Sequence, residues 1–189
     1  MDNIVGLYTK TEGRISRKSW WLGTVILIVV NIVISLLILP LAGVSMMPNM
    51  AAMVADPANV DAAAISTTIA DGLRRSAWAS LVLFVIFAFP IYALSVKRRH
   101  DKDNAGMDVI IYLALTAVLL LIQALGIGWE TMTVGEITIP TPSMWLNILN
   151  IVVGVFAIYL LVVMGFLKGT AGPNQYGPDP LGATAAVAA

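Results

Sequence analysis

Residues 20–41 read WWLGTVILIVVNIVISLLILPL, a run without one charged side chain. A helix needs about 20 mainly apolar residues to cross the hydrocarbon layer of a bilayer, and this stretch is of that length. Three further runs share the property, at residues 77–96, 109–127 and 145–167. Backbone polar groups must all be satisfied within lipid, and helices do so locally. The expected fold is therefore an all-α integral membrane protein, a four-helix transmembrane bundle. Pro90 falls inside the second run, where it kinks a helix more readily than it ends one.

Composition agrees with this reading. The chain is 59% hydrophobic and 12% charged, about half the charge of an ordinary soluble domain. One water-facing core could not hide so much apolar surface. The formal net charge is zero, which excludes a general nucleic-acid binder held by phosphate attraction. There is no cysteine, and His100 is the single histidine. Disulfides, thiolate chemistry and multi-histidine metal centres are excluded with them, and no cofactor or metal is expected. The first run is too long for the core of a secretory signal and lacks a clean cleavage pattern, so an uncleaved signal anchor is expected.

Basic residues predict orientation. Lys10, Arg14, Arg17 and Lys18 precede the first helix; Lys97, Arg98, Arg99 and Lys102 lie between the second and third; Lys168 follows the fourth. By the positive-inside rule that shared side is the cytoplasm, giving both termini inside. Only Arg74 and Arg75 dissent. Trp20, Trp21 and Tyr92 then mark the inner interface, and Trp78, Trp129 and Trp145 the outer one. The chain divides into a cytoplasmic amphipathic segment (1–19), a membrane domain (20–167) and a cytoplasmic tail (168–189).

The outer loops differ. In residues 46–75, Asp56 can cap a helix with Pro57 at its first position, and Ile65, Ile69 and Leu73 share one face. A short extracytoplasmic helix is expected, lying on the surface or extending the second span. Residues 131–139 alternate around Gly135-Glu136, which suits a small β-hairpin.

Three polar clusters fall on the predicted inner face. The first is Gly13-Arg14-Ile15-Ser16-Arg17-Lys18-Ser19-Trp20-Trp21. The second is Val96-Lys97-Arg98-Arg99-His100-Asp101-Lys102-Asp103-Asn104-Ala105-Gly106, and the third is residues 168–180, ending Asn174-Gln175-Tyr176-Gly177-Pro178-Asp179-Pro180. In this order around four spans, the clusters resemble the bacterial inner-membrane family catalogued as "domain of unknown function 805". The first and third match its patterns at Gly13, Arg14, Arg17, Trp20, Gly169, Gly172, Asn174, Tyr176, Gly177, Asp179 and Pro180. The second matches at Arg98, His100, Asp101 and Gly106, with Lys97 for an arginine and Ala105 for a serine. Met107-Asp108 stands where the family usually has aromatics. The resemblance implies a multi-pass protein of the bacterial inner membrane and brings no activity.

Arginine and lysine at a cytoplasmic boundary attract anionic headgroups. On that ground Arg14, Arg17, Lys18, Lys97, Arg98 and Arg99 are expected to bind lipid or a partner. The sharper expectation is a composed site, with Asp101 paired to Arg14 or Arg17, His100 packed nearby and the tail folded over them. Catalysis by His100-Asp101, or magnesium held by Asp101, Asp103 and Asp108, is the less favoured reading, because the surrounding cations neutralise the turn.

Within the spans, polar residues recur at helical spacing: Asn31 and Ser35 with Thr24, Gln123 with Thr116, and Asn147, Asn150 and Gly154 with Ala157. These are expected at helix contacts. A transporter usually places an ionisable residue at membrane depth, and none is present. The expected function is a non-enzymatic component binding anionic lipid, a membrane-protein partner or both. The alternatives are a channel or transport accessory formed by homo-oligomerisation and a magnesium-dependent enzyme acting on lipid phosphate.

Overall fold

A computed structural model describes residues 4–38, 40 and 62–182. Helix α1 covers Ile4–Thr9 and α2 covers Arg17–Val33, continued by a π-helical turn at Ile34–Ile38. Helix α3 is Ala62–His100 and α4 is Met107–Ala124. Strands β1 (Trp129–Val134) and β2 (Ile137–Pro142) form a hairpin, and α5 (Met144–Leu161) ends in a second π-helical turn at Val162–Phe166. Four of these helices are long and apolar enough to cross a membrane. Many large apolar side chains face outward, among them Val25, Ile28, Val85, Ile151 and Val155, each at least half exposed. Water would not tolerate such faces over whole helices, and hydrocarbon does.

Helix α3 runs well past the expected 77–96. Its 39 residues make a rod of about 58 Å, nearly twice the hydrocarbon thickness. Ala62-Ala63-Ala64 and the polar turns after them are good or neutral helix formers, and nothing between them and the span breaks the ladder. Pro90 lies inside the helix without ending it. Of the two outer-loop options, the described part extends the second span. Asp56 and Pro57 lie outside the described residues.

The chain divides into two compact units, Met1–Val30 with Val85–Leu115 and Val153–Ala189, and Asn31–Phe84 with Thr116–Val152. In the second unit, β1 and β2 pair antiparallel with Val134 opposite Ile137. Gly135 has φ 64° while Glu136 stays at negative φ, the sign pattern of a type II′ turn, which suits the strand twist. The hairpin is longer than expected, and Ser143 N–H adds a further bond to Gly128 O at 2.8 Å. It does not stand alone, since Thr138 N–H donates to Ser66 Oγ on α3 at 2.9 Å.

Among the polar residues expected at helix contacts, Gln123 Nε2 donates to Asn150 Oδ1 at 3.0 Å, joining α4 to α5. Asn31 and Ser35 are half-buried. Asn147 and Gly154 depart from the expectation. Asn147 is exposed and donates to Pro142 O at 3.0 Å, so it closes the start of its own helix. A Cβ added at Gly154 would meet nothing within 4 Å. Within the apolar helices, Gly23 and Gly165 do permit close approach. A Cβ at Gly23 would sit 2.7 Å from Leu94 Cδ1, and one at Gly165 2.8 Å from Trp21 Cζ2.

The core of the first unit consists of Leu7, Ile15, Trp20, Leu94, Val109, Leu160 and Met164. It draws on α1, the loop after it, α2, α3, α4 and α5, and brings the three polar clusters together.

Candidate functional site

Each cluster is given its shape by local backbone chemistry. Ser16 caps α2, its Oγ accepting from Ser19 N–H at 3.2 Å, the usual N-cap geometry. Gly13 turns the chain ahead of it at φ 83°. After α3, Asn104 Oδ1 accepts from Gly106 N–H at 2.8 Å, and Gly106 adopts φ 76° against Val96 and Arg99. In the tail, Asn174 Oδ1 accepts from Tyr176 N–H at 2.9 Å, and Asn174 and Gly177 form a two-way bridge. These turns use the residue types that turns demand.

Asp101 is the centre. Its Oδ1 accepts from Arg14 Nε at 3.2 Å and Arg14 Nη2 at 3.1 Å, and its Oδ2 from Arg98 Nη1. The side chains of Arg14 and Arg98 are 1% exposed and that of Asp101 5%. Burial of charge is unfavourable unless every lone pair and proton is matched, and here the matching is complete for Arg14. Its remaining donors reach Gly172 O (2.7 Å), Gly177 O (3.3 Å) and Thr170 O (2.7 Å), which uses all five of a guanidinium. The backbone carbonyl of Asp101 accepts from Thr170 N–H at 2.8 Å and Thr170 Oγ1 at 3.1 Å. Gly169 has no side chain because Asp101 occupies the space beside it.

Arg98 performs a second task. The last carbonyls of a helix lack intrahelical partners, and at the end of α5 side chains supply them. Arg98 Nε donates to Met164 O (2.7 Å), Trp21 Nε1 to Gly165 O (3.1 Å), Arg17 Nη1 to Phe166 O (3.1 Å) and Arg98 Nη2 to Leu167 O (2.6 Å). The helix dipole favours cations at that end. Lys97 Nζ plays a similar part for α1, donating to Gly6 O (2.6 Å) and Leu7 O (2.9 Å).

The tail is held by His100 as well. The imidazole lies flat on Tyr176, with ring centroids 3.9 Å apart and planes 4° apart, and Nδ1–H donates to Gly13 O at 3.1 Å. Asn174 Nδ2 donates to His100 O at 2.8 Å. Asp179 accepts from Leu181 N–H (2.9 Å) and Gly172 N–H (3.0 Å). Those two backbone donors, with a smaller contribution from nearby Arg14, hold its carboxyl below the usual value of 3.8.

Asp101 is engaged by two guanidiniums and Asp108 by Arg99 at 2.9 Å, so neither offers free oxygens to a metal. Among the described residues no three acidic or histidine side chains are placed to hold one. A cavity of about 290 Å³ is lined by Val5, Lys10, Gly13, Arg14 and Lys97 among others, and by neither His100 nor Asp101.

Residues 8–178 match a family described as "Protein of unknown function (DUF805)". The chain belongs to this family. No curated protein and no solved structure matches the chain. The matched DUF805 range contains the first two clusters whole and the tail as far as Pro178, while Asp179 and Pro180 lie just beyond it.

Of the expected site residues of this DUF805 protein, Gly13, Arg14, Trp20, Arg98, His100, Asp101, Gly106, Asn174, Tyr176, Gly177, Asp179 and Pro180 all lie in one unit. Arg14, Lys97, Arg98 and Arg99, expected to bind lipid or a partner, face inward. All four are buried and bonded internally, because helix ends and the folded tail supply carbonyls to Arg14, Lys97 and Arg98 and Asp108 accepts from Arg99, acceptors that the sequence pattern does not reveal. Arg17 and Lys18 remain exposed. Sequence reasoning missed Gly23, Gly165 and Thr170. The sign available was the position of Gly165 in the last turn of an uncapped helix, where a close neighbour is needed.

Proposed function

We propose that this protein is a non-enzymatic, multi-pass component of the bacterial inner membrane with both termini in the cytoplasm. Its basic cytoplasmic face binds anionic lipid, a membrane-protein partner, or both. The supporting observation is the Arg14–Asp101–Arg98 clasp, which with the tail carbonyls of Thr170, Gly172 and Gly177 joins three distant stretches of chain and engages every N–H of Arg14. A catalytic site keeps groups poised toward a substrate; this one spends its charged groups on itself and thereby stiffens the face. Arg17, Lys18 and Lys168 stay exposed around it, where each attracts anionic headgroups. Nine of the eleven basic residues fall on the side assigned to the cytoplasm, which supports the orientation.

The test is gentle purification of the full chain from its membrane, followed by identification of retained lipids and proteins. Retained anionic phospholipid or a stoichiometric partner supports the reading. Lipid retained without regard to headgroup charge, and no partner, defeats it.

A further inference from the structure

Three cations outside the clasp, Arg17, Lys102 and Lys168, belong to the segments that meet at the end of α5. Phe166, Leu167 and Lys168 are consecutive, and their carbonyls accept from Arg17 (3.1 Å), Arg98 (2.6 Å) and Lys102 (3.2 Å) respectively. Arg98 is sealed inside. Arg17 and Lys168 are exposed and Lys102 is half-buried. Among the described residues none of these three has a carboxylate partner. Arg17 gives one of its five N–H groups to Phe166 and Lys102 one of its three to Lys168, so most of their donors remain open.

The local charge balance favours an anion. Arg14, Arg17, Arg98, Lys102 and Lys168 are set against Asp101 and Asp179, with Asp103 and Glu12 exposed and, among the described residues, in no ion pair. The end of a helix contributes only about half a negative charge. Lys102 has its pKa lowered by partial burial first and then by Arg98 and Arg99, with Asp101 acting in the opposite sense. Directly beside these groups, Phe166 and Leu167 are apolar and exposed at 60% and 46%, with Phe166 braced edge-on by Trp21 at 5.8 Å. Cations with open donors next to exposed apolar side chains match a phosphate carried on a hydrocarbon body.

We propose that Arg17, Lys102 and Lys168 bind the phosphate of an anionic phospholipid, with Phe166 and Leu167 against its apolar part. The assignment rests on the lipid-binding reading above and narrows it to one rim of the face.

Native mass spectrometry of the full chain in mild detergent, titrated with phosphatidylglycerol and with phosphatidylcholine, tests it. The wild type and an Arg75→Gln control are expected to favour phosphatidylglycerol at least about tenfold, and the Lys102→Gln/Lys168→Gln variant to fall to near parity. Glutamine at 102 can still donate to the Lys168 carbonyl, and unchanged thermal unfolding confirms that the variant folds. Millimolar inorganic phosphate is expected to leave the bound lipid in place; displacement would reassign the site to a soluble phosphate. A preference that survives both the double variant and Arg17→Gln overturns the site while leaving lipid binding intact. Absence of any preference in the wild type overturns the parent reading itself.

Discussion

Arg14 Nη2 stands 3.1 Å from Asp101 Oδ1, both side chains almost wholly buried, across 87 residues of chain. Removing one partner of such a pair leaves the other charge without water or counter-ion, a cost of about 3–5 kcal/mol. Asp101→Asn is therefore expected to lower unfolding stability in detergent by that amount. Lys18→Gln, at an exposed position, is expected to stay within about 0.5 kcal/mol of wild type. Equal effects from the two variants would show that water reaches the Arg14–Asp101 pair.

Gly169 faces Asp101 so closely that a Cβ would lie 2.8 Å from the Asp101 carbonyl oxygen and closer still to its carboxylate. Gly169→Ala is expected to cost about 1–3 kcal/mol and to release the tail. Limited proteolysis should then cut after residue 169 much faster than in wild type. A tail equally resistant in both proteins would mean that it is held elsewhere.

The docked tail also has an acid limit. Asp179 has a folded-state pKa depressed by the N–H groups of Leu181 and Gly172. A depressed carboxylate contributes stability that is fully present above its usual value of 3.8 and is lost as pH falls through the folded value. The Asp179 contribution to tail protection from hydrogen exchange, corrected for intrinsic rate, should hold steady from neutral pH to about 5 and decline below 4. Asp179→Asn should remove its share of that decline.

Gln123 and Asn150 join α4 to α5 at 3.0 Å, and such bonds within a membrane contribute roughly 0.5–2 kcal/mol. Gln123→Leu should lose that amount in detergent unfolding. Gly154→Ala, into open space, should be neutral or gain up to about 1 kcal/mol from helix propensity. A loss at residue 154 comparable with that at 123 would reveal a neighbour on that face, such as a second chain.

The spans, the hairpin around Gly135-Glu136 and the convergence of three polar clusters were all legible in the residue pattern, because each follows from local hydropathy or turn chemistry. The ends of the helices were less so. Nothing in Ala62–Ser76 announces whether it continues α3 or lies apart, since alanine-rich turns suit either. Asn147 and Gly154 looked like contact residues by type, yet whether a small or polar side chain meets a neighbour depends on helix rotation, which spacing alone leaves open.

The amino-acid order by itself determined how many apolar helices form and which residue types their termini bring near one another, since burial of apolar surface and backbone satisfaction are properties of each segment. Which cations face inward was decided only by tertiary structure. Arg14, Lys97, Arg98 and Arg99 look identical in sequence to the exposed Arg17 and Lys18. The difference is the set of carbonyls and the two carboxylates, Asp101 and Asp108, that folding places within their reach.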